Sequence, residues 1–166
     1  MSSCLNFIAI FNSEKVKGNV KFHQCTPESI VQVIFDLYGM EPNKTRACHI
    51  HEYGDTRQGC TSLGAHLNLN NTEHGSIFID INDSHTGDLL NNINIDKDGK
   101  FKISYNDPRL NMFGNIKNSI IGCSVIIHDG IDDLGLGGNE ESKKTGNAGG
   151  RMACSIIAKA KPGSLF

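Results

Sequence analysis

Residues 48–60 read Cys-His-Ile-His-Glu-Tyr-Gly-Asp-Thr-Arg-Gln-Gly-Cys. Successive side chains alternate across an extended chain, so His49 and His51 share one face if this segment is a strand. Two imidazoles on one face are half of a metal site, although a His-x-His pair taken alone carries no such meaning. The remaining histidines change that reading. The chain has seven, at 23, 49, 51, 66, 74, 85 and 128; Asp88 follows His85 by three residues, and His128 closes an apolar run. Nitrogen-rich ligation without thiolate suits zinc, copper or nickel, and tetragonal nitrogen ligation suits Cu(II). Histidines joined by one aspartate suit tetrahedral zinc.

The elements that must position these groups are short strands. Alternating or β-branched segments recur at 5–11, 19–23, 30–36, 46–51, 92–95, 101–105, 120–128 and 153–160. Asp-Lys-Asp-Gly at 96–99 is a hairpin signal between two of them. A helical period is weakly present only over 27–38, where the Ile and Val content suits a strand equally well. Eight strands with two long connections predict an all-β, antiparallel sandwich or barrel in a single domain spanning 1–166. The connections are 52–91 and 129–152, and six of the seven histidines lie in them or at their borders. Loops beyond about 15 residues are uncommon unless functional or disordered. Metal binding would order them.

Composition limits the partners. A chain of 166 residues buries about two-thirds of its unfolded surface in one core. A formal charge of -2 and a pI near 6.4 suggest neither a nucleic-acid nor an anionic-membrane partner. Apolar runs are too short for a membrane-spanning helix. The segment Met-Ser-Ser-Cys-Leu-Asn-Phe-Ile-Ala-Ile-Phe lacks the basic start and long apolar stretch of a signal peptide, so an intracellular, cytoplasmic location is expected. There most of the six cysteines should be free thiols packed as small hydrophobes.

Longer motifs carry a specific resemblance. His-Ile-His-Glu-Tyr-Gly-Asp (49–55), Gly-Cys-Thr-Ser-Leu-Gly-Ala-His-Leu-Asn (59–68), His-Thr-Gly-Asp-Leu (85–89) and Gly-Asn-Ala-Gly-Gly-Arg (146–151) closely resemble copper/zinc superoxide dismutases. So does Val-Ile-Ile-His-Asp-Gly-Ile-Asp-Asp-Leu-Gly-Leu-Gly-Gly-Asn-Glu-Glu-Ser (125–142), and the likeness runs over nearly the whole chain. It implies an eight-stranded Greek-key barrel with a metal-binding loop and an electrostatic loop. The activity implied is dismutation of superoxide to dioxygen and hydrogen peroxide, as antioxidant defence, by a copper that alternates between oxidation states.

The resemblance makes His49, His51, His66 and His128 copper ligands. His66, His74, His85 and Asp88 become zinc ligands, with His66 bridging one copper and one zinc per subunit and supplying a proton. Asp132 falls where a carboxylate links a copper histidine to a zinc histidine, here His49 and His74. Arg151 would dock the anion beside copper, and Glu140, Glu141, Lys143, Lys144 and Thr145 would form the electrostatic loop. The resemblance also pairs Cys60 with Cys154 in a disulfide, leaving Cys4, Cys25, Cys48 and Cys123 free, with Cys48 packing in the core opposite His49. Gly54, Gly59, Gly64 and Gly87 would permit tight turns around the metals, and Asn91 resembles a loop-anchoring residue. Implied partners are superoxide, a second copy in a homodimer and a copper chaperone.

The chain departs from the family pattern in places. The span between His74 and His85 is apolar and about two residues long in excess, suggesting an extra short strand or packing patch. Ala65 and Leu67 stand where proline and phenylalanine are expected. Lys159 occupies a normally apolar dimer-contact position, and a short tail follows at 161–166. The competing reading is a non-enzymatic, copper-chaperone-like or decoy protein of the same fold. A chaperone would carry a Met-x-Cys-x-x-Cys motif, which is absent, and a decoy would have lost a copper histidine or the arginine, and none is lost.

Overall fold

Strict alternation of buried and open positions builds the first sheet. In Leu5–Asn12 (β1), Lys17–Gln24 (β2) and Val31–Tyr38 (β3), the residues Phe7, Ala9, Phe11, Val20, Phe22, Val33 and Phe35 all turn inward. This computed structural model describes residues 4–115 and 119–161. The remaining strands are Thr45–His51 (β4), Arg57–Cys60 (β5), Asn92–Asn94 (β6), Phe101–Asp107 (β7), Ser124–His128 (β8), Arg151–Ile156 (β9) and Ala158–Lys159 (β10). One helical turn, Ser142–Thr145 (α1), lies in the second long connection.

The strands form two antiparallel sheets, ordered β10-β1-β2-β3-β7 and β6-β4-β8-β9. Between them lies a core that includes Phe22, Phe35, Ile50, Ile93, Val125 and Ile127, each fully buried. Burying side chains of this size contributes about 1.5–3 kcal/mol each. One expected strand, 153–160, breaks at Ile157, and its end pairs with β1 in the other sheet. That switch closes one side of the barrel.

Several expectations need correction. Residues 120–123 form a turn rather than the start of a strand, with Gly122 at φ 80° and β8 beginning at Ser124. The ambiguous segment 27–38 is a turn followed by β3. The span from His74 to His85 folds as turns, and Phe78 and Ile79 stand 73% and 57% exposed, so it is neither a strand nor a packed patch. Cys4 and Cys25, expected as free thiols, are joined in a disulfide. The β1–β2 register, Leu5 opposite Gln24, puts these two residues next in line across the hairpin. Cys48 and Cys123 are free and buried. Of the expected tail, residues 162–166 lie outside the described residues.

Candidate metal centre

Strand β4 lies between β6 and β8, and its residues 47–51 are all buried. Cys48 and Ile50 enter the core, so His49 and His51 face the other way, under the long connections. His128 comes from the end of β8. There the register slips, so that Ile127 opposes Ala153 while His128 opposes Arg151. Bulges of this kind re-aim side chains, and this one sets Arg151 beside His128.

The first connection is laced onto β4 by its backbone. Leu67 N–H donates to Ile50 O at 2.8 Å, Ile50 N–H to Gly87 O at 2.8 Å and Gly87 N–H to Leu67 O at 2.7 Å. A Cβ on Gly87 would lie 2.3 Å from Ile50 O, so only glycine permits this approach. Both segments that carry His66, His85 and Asp88 are thereby fixed against the histidine strand.

Six histidines and two aspartates converge. His49, His51, His66 and His128 offer ligand atoms within 4.8 Å of one another, as do His66, His74, His85 and Asp88, and all of these residues are buried. His66 belongs to both groups: its Nδ1 lies 3.1 Å from Asp88 Oδ1, while its buried Nε2 has no hydrogen-bond partner. Asp88 Oδ1 also meets His74 Nδ1 at 2.9 Å and His85 Nδ1 at 3.2 Å. Asp132 stands between the groups, with Oδ2 accepting from His49 Nε2 at 2.6 Å and Oδ1 facing His74 Nε2 at 2.8 Å.

These contacts define the lone pairs. His51 Nδ1–H donates to Gly64 O at 3.0 Å and His128 Nδ1–H to Gly149 O at 3.3 Å, which leaves their Nε2 atoms bare and only 3.3 Å apart. His49 Nδ1 is likewise buried without a partner. Buried polar atoms are ordinarily satisfied. Two bare imidazole nitrogens facing each other, with His49 Nδ1 and His66 Nε2 unpartnered in the same cluster, fit a cation held among them.

The electrostatics agree. Burial first, then neighbouring imidazoles, hold His66 down at about 3 and His128 at about 4, and push His51 lower still, so these rings are neutral ligands at neutral pH. Burial opposes charge on His74 as well, but the Asp132 and Asp88 carboxylates outweigh it and raise it to about 9. Asp88 and Asp132, despite burial, are held below the usual carboxylate range by hydrogen bonds from the histidines. Three imidazoles around one carboxylate is a nitrogen and oxygen set that suits zinc.

A pocket of about 360 Å³ opens onto the first group, lined by His51, His66, His128, Glu141, Thr145 and Arg151 among others. The Arg151 guanidinium donates to Cys60 O at 2.7 Å and Gly64 O at 2.5 Å. Cys60 and Cys154 are bonded as a disulfide, with Cα atoms 5.8 Å apart, which ties the carbonyls that hold Arg151 to β9. Glu140, Glu141, Lys143, Lys144 and Thr145 all line an adjoining pocket. Lys143 pairs with Glu73 at 3.3 Å, whereas Lys144 makes no ion pair among the described residues. The expected histidines, Asp88 and Asp132 thus lie in two adjoining groups, with Arg151 and the 140–145 segment lining the pockets beside them, whereas Gly54 packs against Gly122 and Ile156.

Sequence reasoning missed Arg109. It is nearly buried, pairs with Asp107 at 2.7 Å, and donates to Ser84 Oγ, His85 O and Leu89 O. It therefore clasps the segment carrying His85 and Asp88 to β7. Nothing in Asp-Pro-Arg at 107–109 announces that role. Asn91, noted as a loop anchor, donates to Gly75 O at 2.7 Å and to Asp132 Oδ2 at 3.0 Å.

The family model for copper/zinc superoxide dismutase (SODC) matches residues 16–157. The chain is 46% identical over 146 residues to a Cu-Zn superoxide dismutase of Schizosaccharomyces pombe, covering 88% of this chain and 92% of that one. It is also 46% identical over 146 residues to one of Paramecium bursaria Chlorella virus 1, covering 88% and 74%. Among solved structures, the clock protein EA4 superposes with a TM-score of 0.85 at 33% identity, covering 96% of this chain and 98% of that one.

Proposed function

Because the chain belongs to the copper/zinc superoxide dismutase family, we propose that His49, His51, His66 and His128 hold copper, that His66, His74, His85 and Asp88 hold zinc, and that the enzyme dismutates superoxide. The observation that carries the assignment is the set of bare, buried nitrogens on His49, His51, His66 and His128, with the opposite edge of His66 turned to Asp88. Bound there, copper supplies one-electron reduction and oxidation, and zinc orders the first connection and polarises His66. Overall, two superoxide anions and two protons give dioxygen and hydrogen peroxide.

The chain's own residues do the rest. Arg151, a fixed cation on the pocket wall, draws the anion in and offers it a planar N–H edge. His66 lines the same pocket and holds or releases a proton at Nε2, the only one of its ring nitrogens not engaged by Asp88. Asp132 fixes the tautomer of His49 and orients His74, as carboxylates behind metal-bound histidines do. Lys144, on the adjoining pocket, adds positive charge along the approach.

The single domain 1–166 acts inside the cell in this reading, as part of antioxidant defence. No helix among the described residues is long and apolar enough to cross a membrane. A homodimer is supported by an exposed patch where Gly54 packs against Gly122 and Ile156, with Tyr53 57% and Ile156 39% exposed. Lys159, exposed at the nearby end of β10, weakens that contact without removing it. A copper chaperone is the partner that family membership implies for metal loading.

Metal analysis combined with inhibition of superoxide-driven cytochrome c reduction tests the proposal. One copper and one zinc per chain with strong inhibition is the expected result. A metal-replete chain that does not inhibit would leave the copper-binding, non-enzymatic reading instead.

A further inference from the structure

The histidine that the dinuclear site does not use, His23, lies with the disulfide pair on the far sheet. In the β1–β2 register Asn6 opposes His23, and Cys4 and Cys25 come next but one along each strand. The inward positions here are Phe7, Phe22 and Gln24, so Cys4, Asn6, His23 and Cys25 share the outer face of the five-stranded sheet. All three potential ligands are part-exposed, and their Sγ and ring nitrogen atoms lie within 4.8 Å of one another.

The tautomer of His23 is set by its neighbour. Asn6 Oδ1 can only accept, so His23 Nδ1 carries the proton it donates across 2.7 Å. The other nitrogen, Nε2, then presents a lone pair, 3.2 Å from Cys25 Sγ. An imidazole anchored through one N–H, with its other nitrogen turned toward sulfur, is how ligating histidines are held.

We propose that Cys4, His23 and Cys25, once their disulfide is reduced, form a binding site for a soft cation, Cu(I) above all. Two thiolates and one imidazole suit Cu(I), whereas the dinuclear centre offers no thiolate. A dithiol reductant opens the site by exchange: its two thiols become a disulfide, and their two hydrogens end on Cys4 and Cys25 as S–H. Cation binding then releases both protons, and the sulfurs move from bonding distance to roughly 3.8 Å, the span of two thiolates on a metal at about 2.3 Å each. The oxidised protein has no thiolate at this position and binds nothing there. Redox state thus gates a site on a different sheet from the dinuclear centre.

The test uses the full chain with its copper and zinc in place, reduced by a dithiol that is then removed without oxygen. Cu(I) is offered from a chromophoric chelator. Reduced wild type should withdraw one further Cu(I) per chain and gain a thiolate-to-copper absorption in the near ultraviolet, and the reoxidised protein should withdraw none. The Cys4→Ser/Cys25→Ser double variant, and wild type alkylated after the same reduction, should both lose the uptake. The alkylated protein serves if the double variant folds poorly. His23→Gln should weaken competition by tenfold or more and Asn6→Ala by about tenfold, as for groups that orient a ligand. Equal Cu(I) uptake by the double variant and reduced wild type, or none by reduced wild type, overturns the proposal.

Discussion

Arg151 and His128 sit side by side across the β8–β9 bulge, yet their substitution should have separable effects. His128 belongs to the group of four histidines and not to the Asp88 group. His128→Ala should therefore abolish activity and copper binding while most zinc remains, read by metal analysis after dialysis. Unchanged copper content would remove His128 from the ligand set. Arg151→Ile should keep both metals and lower the second-order rate with superoxide by about tenfold or more, within the range that steering supplies. Charges at a distance are screened over about 8 Å at physiological ionic strength, whereas a docked contact is screened less, so part of the loss should persist at high salt. Lys at this position keeps the charge, loses the planar fork, and should fall between the two. A wild-type rate for Arg151→Ile across ionic strengths would reduce this arginine to a structural hydrogen-bond donor for Cys60 and Gly64.

At the level of elements, the loops depend on contacts that a sequence does not display. Gly146 has φ 64°, and a Cβ there would lie 2.1 Å from Asp132 Oδ1 and 2.5 Å from His74 Nε2. Gly146→Ala should displace the carboxylate behind His49 and His74, lowering zinc affinity by 10–100-fold or so, as losses of such orienting groups do. Zinc affinity equal to wild type by chelator competition would show that the loop absorbs the methyl elsewhere. Arg109→Met should act from the other side, freeing the segment 84–89 and leaving Asp107 buried without its partner, at a cost of about 3–5 kcal/mol. Thermal melts of the metal-free variant and parent measure it. The strands and histidines were legible because alternation and ligand chemistry write themselves into residue types. Strand β5, with its run Arg-Gln-Gly-Cys, has no apolar alternation, and α1 is a single turn, so neither left a pattern. Arg109 and the Cys4–Cys25 pair depend on register and on which chain passes behind which, and a bare cysteine count points the wrong way.

For the molecule as a whole, one closure and one metal pair hold the long connections. The Cys60–Cys154 bond closes a separation of 94 residues, for which chain entropy gives about 4.7 kcal/mol. The connections themselves bury histidines and carboxylates instead of an apolar core. Here the Nε2 atoms of His51 and His128 face each other at 3.3 Å and Nδ1 of His49 is buried without a hydrogen-bond partner, while His66, His74 and His85 crowd one Asp88 oxygen. Metal bound only by the folded state stabilises it by about 4.1 kcal/mol when free metal is 1,000 times its dissociation constant. For a chain of this size each kcal/mol moves Tm by about 2–4 °C. In copper-free protein, removing zinc should therefore lower Tm by about 8–16 °C under such conditions, and restoring zinc should recover it, because its proposed ligands span the first connection from His66 to Asp88. Hydrogen exchange should show the loss of protection concentrated in that connection, with β1, β2 and β3 little changed. Apo and zinc-loaded protein melting within 2 °C of each other would mean that the packing of Gly87 against Ile50 and the Arg109 clasp order the loop by themselves.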